Sequence, residues 1–252
     1  MSIRKYPQSD VKLLYGLAAA RCSFPNCKVD LTLKDLPCEK RKQIGKIAHI
    51  IAHGKNGPRA DDLYPAERLD TYDNWILLCG THHDTVDTAV NQYSVKRLRQ
   101  IKNEHETWVR NSLEIEILSV GFAELEVAAS ALLFSIPVMV NGSFAVTPPK
   151  QKMVKNSLGE STHHLLTMGL SRSREVGQYI ECQSMLDSGY PDRLKAGFRK
   201  EYDRLFSEGV YGDALFESMV SFTSGNTEDF KRKASGLVIL AHLFEICEVF
   251  EQ

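Results

Sequence analysis

The chain has 252 residues, of which 43% are apolar and 25% charged, and this balance excludes an intrinsically disordered protein. Residues 1–110 carry 18 basic and 13 acidic residues, whereas the remainder carries 13 basic and 19 acidic ones. The first part is therefore the better candidate for contact with a polyanion, and the second part is a poor one.

No stretch predicts secretion or insertion into a membrane. The opening residues, MSIRKYPQSD, place proline, glutamine, serine and aspartate where a signal peptide needs an apolar run. The longest apolar run contains Glu124 and Glu126 near its middle, which favours a core helix over a transmembrane span. We therefore expect a cytoplasmic protein, and in that compartment clustered cysteines indicate a metal site rather than disulfides.

The first elements in chain order are a helix and two strands. VKLLYGLAAA is typical of a short helix with Asp10 as its N-cap. GKIAHIIA and NWILLC have the length and composition of strands, and the polar loop between them is rich in glycine and proline.

Two helices follow the second strand. THHDTVDTAV predicts a short helix directly after Cys79. SVKRLRQIKNEHETWVRNSL has apolar residues at helical spacing, which predicts a longer helix capped by Ser94.

From about residue 115 the pattern changes to apolar helices. One exception is PVMVNGSFAV, where Asn141-Gly142 lies between two short β-type runs and predicts a hairpin. The closing run, LVILAHLFEICEVFEQ, is apolar almost all round, which predicts burial within its own domain or against a partner. Helical patterns in this half cover residues 161–170, 173–187, 191–207, 212–222 and 228–250.

Two close pairs of metal-ligand residues lie far apart in the sequence. RCSFPNCK contains Cys22 and Cys27, and LCGTHH contains Cys79 and His82. Such pairs join separated segments around a tetrahedral structural zinc ion, each pair forming one knuckle. The remaining cysteines have no such partners, so we expect them to be small buried apolar residues: Cys38, Cys182 and Cys247.

The motifs of the first half occur in the order Cys-x4-Cys, AHI, a Gly-Pro-Arg loop, DNWILLC and HH. This arrangement, over roughly residues 20 to 110, resembles the HNH endonucleases of the ββα-metal fold. The resemblance implies that His49 is the general base, that Asn74 braces the loop, and that His83 binds a catalytic divalent ion.

The chemistry explains why these residue types are needed. Hydrolysis of a phosphodiester requires water to lose a proton near neutral pH, and imidazole has an ordinary pKa of about 6.5. The leaving alkoxide and the added phosphate charge need a Lewis acid, which Mg²⁺ or a related ion supplies.

The chain departs from the family at Ala48, where many HNH enzymes have an Asp or His that ligates the ion. Asp87, one helical turn after His83, and His53 are the candidates to replace it. Asp87 either ligates the ion or accepts a hydrogen bond that orients His83. A supporting or DNA-facing role is open to His53, as is an ordinary structural one.

Two basic residues lie in the glycine-containing loop beside the expected base. Lys55 and Arg59 would contact substrate phosphates, which positions a duplex without reading its sequence. The alternative is a charged loop that is simply solvated.

The second half contains ELEVAASALL and YDRLFSEGVYGDALFESMV before the apolar closing run. These patterns, over about residues 115 to 252, resemble the C-terminal region of effectors in prokaryotic ABC three-component conflict systems. The resemblance implies an SMC-like ABC ATPase and an accessory component as partners; an autonomous helical domain is the alternative. The large apolar surface is also compatible with homo-oligomers.

These features together predict an α+β protein. Residues 1–112 form a small zinc-knuckle ββα-metal nuclease domain, and residues 113–252 form a mainly helical recruitment or regulatory domain with one short hairpin. The expected function is metal-dependent cleavage of DNA, with structural Zn²⁺ and catalytic Mg²⁺ or another divalent ion, in defence against phage or plasmids. Two alternatives are a noncatalytic zinc-knuckle DNA-binding module and the nuclease subunit of a restriction-type complex.

Overall fold

The computed structural model describes residues 4–33, 42–133, 149–227, 229–246 and 250. The architecture is mixed α/β and mostly helical, with two short antiparallel strand pairs. The chain divides into two compact units, residues 1–109 and 110–252. The division falls within the helix Val95–Ile117, as does the boundary predicted at residue 112.

The first unit contains two strand pairs, β1 with β2 and β3 with β4, and both pairs are antiparallel. Two short 3₁₀ turns precede β4. The elements are α1 (Gln8–Leu17), β1 (Thr32–Leu33), β2 (Lys42–Gln43), β3 (Lys46–His49), β4 (Trp75–Leu78), α2 (Gly80–Thr88) and α3 (Val95–Ile117).

The β3–β4 pair forms the centre of the first unit. Ala48 lies opposite Ile76 and His49 lies opposite Trp75 in the antiparallel register. All four side chains of β4 are buried, because α1 contacts this strand and α2 contacts both strands. A strand that is covered on both faces is apolar throughout, which is why the run WILL shows no polar alternation.

The two predicted helix caps have different outcomes. The Ser94 hydroxyl accepts a hydrogen bond from the Arg97 N–H at 3.3 Å, which confirms the cap of α3. The Asp10 cap is wrong, because α1 begins earlier and Pro7 is its N-cap. Asp10 instead lies in the first turn and accepts the Tyr72 N–H at 2.8 Å.

The second unit is helical throughout its described part. The predicted hairpin lies outside the described residues. Among the residues described, no helix combines the length and the apolar character that crossing a membrane requires. The helices are α4 (Phe122–Leu133), α5 (Pro149–Lys155), α6 (Glu160–Leu170), α7 (Ser173–Leu186), α8 (Tyr190–Ser207), α9 (Gly212–Thr223) and α10 (Phe230–Ile246).

The centre of the second unit is α10, whose residues 233–244 are all buried. It contacts α4, α6, α7 and α9, so the apolar closing run is buried within its own unit. Gly169 permits the close approach of α6, because an added Cβ would lie 2.6 Å from the Ala241 Cβ. Between α4 and α8, a Cβ at Gly197 would meet the Leu132 carbonyl oxygen at 1.8 Å.

The cysteines outside the expected metal site are only partly described. Cys182 is exposed on α7, so the expectation that it is a buried apolar residue is wrong. Its position on the outer face of an amphipathic helix explains this exposure. Cys38 and Cys247 lie outside the described residues.

Candidate metal centre and active site

A cluster of three thiols and one imidazole lies beside the start of α2. Cys22 and Cys27 belong to the turn that follows α1, Cys79 is the residue before α2, and His82 is in its first turn. The four ligand atoms, one from each side chain, all lie within 4.8 Å of one another. The structure thus brings together all four residues predicted from the two sequence pairs.

The backbone of the first pair forms a tight turn. The Cys22 N–H donates to the Val29 carbonyl at 3.0 Å, and the Cys27 N–H donates to the Phe24 carbonyl at 3.1 Å. Asn26 adopts a left-handed conformation with φ of 61°, which asparagine tolerates better than most residues. This closed turn directs both thiols toward α2.

The separations suit a tetrahedral ion. His82 Nδ1 lies 3.1 Å from the Cys79 Sγ and 3.6 Å from the Cys22 Sγ. Zinc bonds of about 2.3 Å to sulfur and about 2.0 Å to nitrogen separate tetrahedral ligand atoms by about 3.5 Å. The Phe24 ring stacks on the His82 imidazole, with centroids 3.8 Å apart, and fixes its orientation. This group can bind a metal ion such as zinc.

The ionisation state of Cys22 depends on whether a cation is bound. Burial raises the pKa of its thiol to about 12, and hydrogen bonds from the Cys79 and Phe24 N–H groups offset this only in part. Without a cation the thiol therefore stays protonated. A coordinated divalent ion reverses the preference, because a ligand thiol is deprotonated outright.

A second polar cluster surrounds His49 at the end of β3. The His49 side chain is 8% exposed, and its Nε2 lies 2.9 Å from the Asp70 Oδ1. The other Asp70 oxygen lies 3.4 Å from the His53 Nε2 and accepts the Lys5 N–H at 2.6 Å. No sequence motif points to Asp70, because an isolated acid 21 positions from the histidine forms none.

The acid and base of this cluster have shifted pKa values. Burial lowers the pKa of His49, and the hydrogen bond and charge of Asp70 offset this only in part. Burial tends to raise the pKa of Asp70, but hydrogen bonds from the Lys5 N–H and from His49 outweigh it, so the net shift is downward. Near neutral pH the pair therefore consists of a carboxylate and a neutral imidazole.

The Asn74 amide holds the loop between β3 and β4. Its Oδ1 accepts the Ile51 N–H at 2.9 Å, while its Nδ2 donates to the Ile51 and Leu69 carbonyls at 2.9 and 3.0 Å. The side chain is fully buried, and its own carbonyl accepts the Ile50 N–H at 2.8 Å. The uncharged Asn74 amide thus connects the two ends of the loop, at Ile51 and Leu69.

His83 lies near the N-terminal end of α2, next to the zinc-ligand candidate His82. Its side chain is 29% exposed, and its Nδ1 lies 3.4 Å from the Asp84 Oδ1 and 4.0 Å from the Asp87 Oδ2. Among the described residues, only the thiol and imidazole cluster has three or more ligand atoms close enough to share one ion. Within the part of the chain that the structure describes, fewer than three His, Cys, Asp or Glu ligand atoms are therefore close enough to share a second ion near His83.

The chain was compared with protein-family models and with curated proteins. Neither comparison found a match.

Ala48 is fully buried opposite Ile76 and belongs to the core of the first unit. A methyl group in this environment has no ligand atom, and the surrounding side chains are apolar. Ala48 therefore contributes packing and cannot bind an ion.

Arg59 has a different role from the one predicted. Its side chain is 3% exposed; Nε donates to the Ile50 carbonyl at 2.9 Å, and Nη1 donates to the Val86 carbonyl at 2.6 Å. Nη2 bonds the Asp87 Oδ1 at 2.6 Å. The guanidinium therefore joins the end of β3 to α2, which corrects the expectation that it contacts a phosphate. Lys55, in the same loop, is exposed.

Substitutions at these two basic residues should have opposite consequences. Arg59→Lys should lower the free energy of unfolding by about 1.5–3 kcal/mol, because one ammonium cannot replace bonds to two carbonyls and a carboxylate. Lys55→Ala should change stability by less than about 0.5 kcal/mol, as is usual for surface sites. If Lys55 contacts phosphates as predicted, the same substitution should weaken DNA binding and reduce its dependence on salt.

Urea denaturation and DNA-binding titrations at two salt concentrations measure both effects. An Arg59→Lys protein with unchanged stability but reduced DNA affinity would instead indicate that Arg59 contacts DNA.

Proposed function

We propose that the first unit is a metal-dependent endonuclease of the HNH type that hydrolyses DNA phosphodiester bonds. The main support is the position of His49 on β3, where its imidazole is buried and hydrogen-bonded. The paired strand β4 leads directly into α2, the helix that carries His83. Asn74 adds support, because its amide fixes the loop that follows His49.

In the proposed reaction, His49 accepts the proton of the water that attacks phosphorus. A neutral imidazole is required for this, and the lowered pKa of His49 keeps it neutral at physiological pH. His83 would hold a divalent ion. Asp87 lies on the same helix face, with one oxygen toward His83 and the other on Arg59. Such an ion would supply Lewis-acid chemistry at the phosphate.

A structural zinc ion would be held by Cys22, Cys27, Cys79 and His82. Their spacing and mutual distances support this assignment. The site would connect the turn after α1 to the first turn of α2, which also carries His83. Zinc would thus stabilise the position of that side chain without touching the substrate.

A noncatalytic DNA-binding module is the second candidate. Two observations favour it. Ala48 provides no ligand, and the described residues contain no second group of three metal-ligand atoms. Mg²⁺ sites, however, often use one or two protein ligands and take their remaining oxygens from phosphate and water, so the enzyme is the better-supported candidate.

Cleavage of supercoiled plasmid decides between the two. The purified full chain is incubated with the plasmid and Mg²⁺, Mn²⁺ or Ni²⁺, and a parallel sample contains EDTA in excess over these ions. Nicked or linear product that requires the added ion supports the endonuclease. Retarded DNA in a gel without product under any ion supports the binding module.

For the second unit we propose recruitment, with an SMC-like ABC ATPase and an accessory component of a cytoplasmic defence system as partners. Support comes from the pattern resemblance and from a compact unit built around its own buried helix, α10. Met185 and Leu186 at the end of α7 are strongly exposed and offer apolar contact surface. Affinity purification of the tagged full chain from its native host should recover the ATPase, and its absence would count against this partner.

A further inference from the structure

Asp70 connects two imidazoles through its two oxygens. Oδ1 lies 2.9 Å from the His49 Nε2, and Oδ2 lies 3.4 Å from the His53 Nε2. The three side chains are only 8 to 15% exposed. Oδ2 also accepts the backbone N–H of Lys5 at 2.6 Å, so contacts on both oxygens restrict rotation of the carboxylate.

The indole of Trp75 competes for the same nitrogen of His49. Its Nε1 lies 3.2 Å from the His49 Nε2. One ring nitrogen either carries a proton that it donates or has a lone pair that accepts, so it cannot donate to Asp70 and accept from Trp75 at once.

The carboxylate decides which form is more stable. A hydrogen bond to an ionised group is roughly twice as strong as a neutral one. An unprotonated Nε2 would also hold its lone pair against a negative oxygen at 2.9 Å. The proton of neutral His49 therefore lies on Nε2, which leaves the lone pair on Nδ1.

We propose that Asp70 is a positioning residue for the general base: it holds the His49 proton on Nε2, so that Nδ1 takes the proton of the attacking water. The inference rests on the proposed function. When Nδ1 accepts that proton, the imidazolium keeps its Nε2–H bond to Asp70, which stays ionised and stabilises the new positive charge.

The charged groups around His49 fix the direction of the expected pH effect. Burial lowers the pKa of His49, Asp70 raises it, and Arg4 and His53 lower it. Loss of the Asp70 charge should therefore move the acid limb of the cleavage profile to lower pH.

Tautomer state can be measured without any assay of activity. Long-range ¹H–¹⁵N correlation spectra of the full-length protein identify which ring nitrogen carries the proton, and His49→Gln assigns the signals. We expect Nε2–H in the wild type and an increased share of Nδ1–H in Asp70→Asn, where Trp75 can donate to Nε2. Wild-type His49 with its proton on Nδ1 would overturn the inference, whatever the cleavage assays give.

Cleavage by Asp70→Asn gives the second readout. We expect kcat to fall by about 10²-fold, at the low end of what general-base catalysis contributes, with KM for DNA little changed. Asp62→Asn is the matched control, because Asp62 is exposed in the same loop and the charge change is identical. Its kcat and pH profile should equal those of the wild type.

The outcomes separate the inference from the proposed function. Wild-type kcat and an unshifted acid limb in Asp70→Asn would overturn the inference while the endonuclease remains. A wild-type protein in which the His49 proton is on Nε2, but which cuts no plasmid with any ion, would overturn the proposed endonuclease function. The tautomer spectra would still support Asp70 as the group that fixes the His49 proton.

Discussion

Replacement of Cys22 by serine should unfold the first unit and remove about one equivalent of zinc from the protein. Structural zinc contributes about 10–16 kcal/mol of apparent binding free energy in zinc-finger peptides at neutral pH. That range is similar to the total stability of a typical domain, about 5–15 kcal/mol. A hydroxyl binds zinc far more weakly than a thiolate, so the loss of one ligand is enough.

Elemental analysis and thermal unfolding measure this effect. Cys182→Ser is the matched control, because Cys182 is exposed in the second unit and should keep both the zinc content and the melting temperature. Cys22 is fully buried, so serine also places a hydroxyl in the core, which by itself costs about 1–3 kcal/mol.

A chelator separates the two contributions. Wild-type protein treated with a strong zinc chelator has unchanged packing residues, so any loss of melting temperature reports the ion alone. A wild type that is folded and metal-free as purified would contradict the zinc assignment, and the destabilisation of Cys22→Ser would then be a packing effect.

Most of the secondary structure could be predicted from the sequence, because the residue patterns that indicate helices and strands are local. The apolar spacing of the second half placed α6, α7, α8 and α9 within a residue of their observed ends. Helix periodicity depends on neighbours three and four positions apart, so a single segment contains the information. The metal cluster was predictable for a similar reason, since the two ligands of each pair lie within five positions of each other in the chain.

The residues that were missed or misassigned act through tertiary contacts. Asp70 follows the loop whose two ends Asn74 bonds, and it reaches His49 across that loop, so no spacing rule connects the two positions. Arg59 lies in a glycine-containing basic loop, which is typical of phosphate contact. Its burial against the Ile50 and Val86 carbonyls depends on how α2 packs on β3.

Replacement of His49 by alanine should lower the rate of plasmid cleavage by about 10²–10⁴-fold, the usual contribution of a general base. Zinc content and DNA affinity should stay near wild type, because His49 is not among the four thiol and imidazole ligands and lies largely buried. His49→Gln tests the same chemistry with less loss of packing. His164→Ala, at an exposed histidine of α6, should cleave like the wild type.

The pH dependence identifies the base independently of the substitution. Since burial lowers the pKa of His49, wild-type cleavage should rise with pH through a midpoint below about 6.5 and should not fall again because of this residue. The base works only when unprotonated, so activity is lost as the pH falls through the lowered pKa. A profile that rises only above pH 8, together with full activity in His49→Ala, would assign the proton transfer to another group, such as a metal-bound water. The His49–Asp70 pair would then have only a structural role in closing the loop.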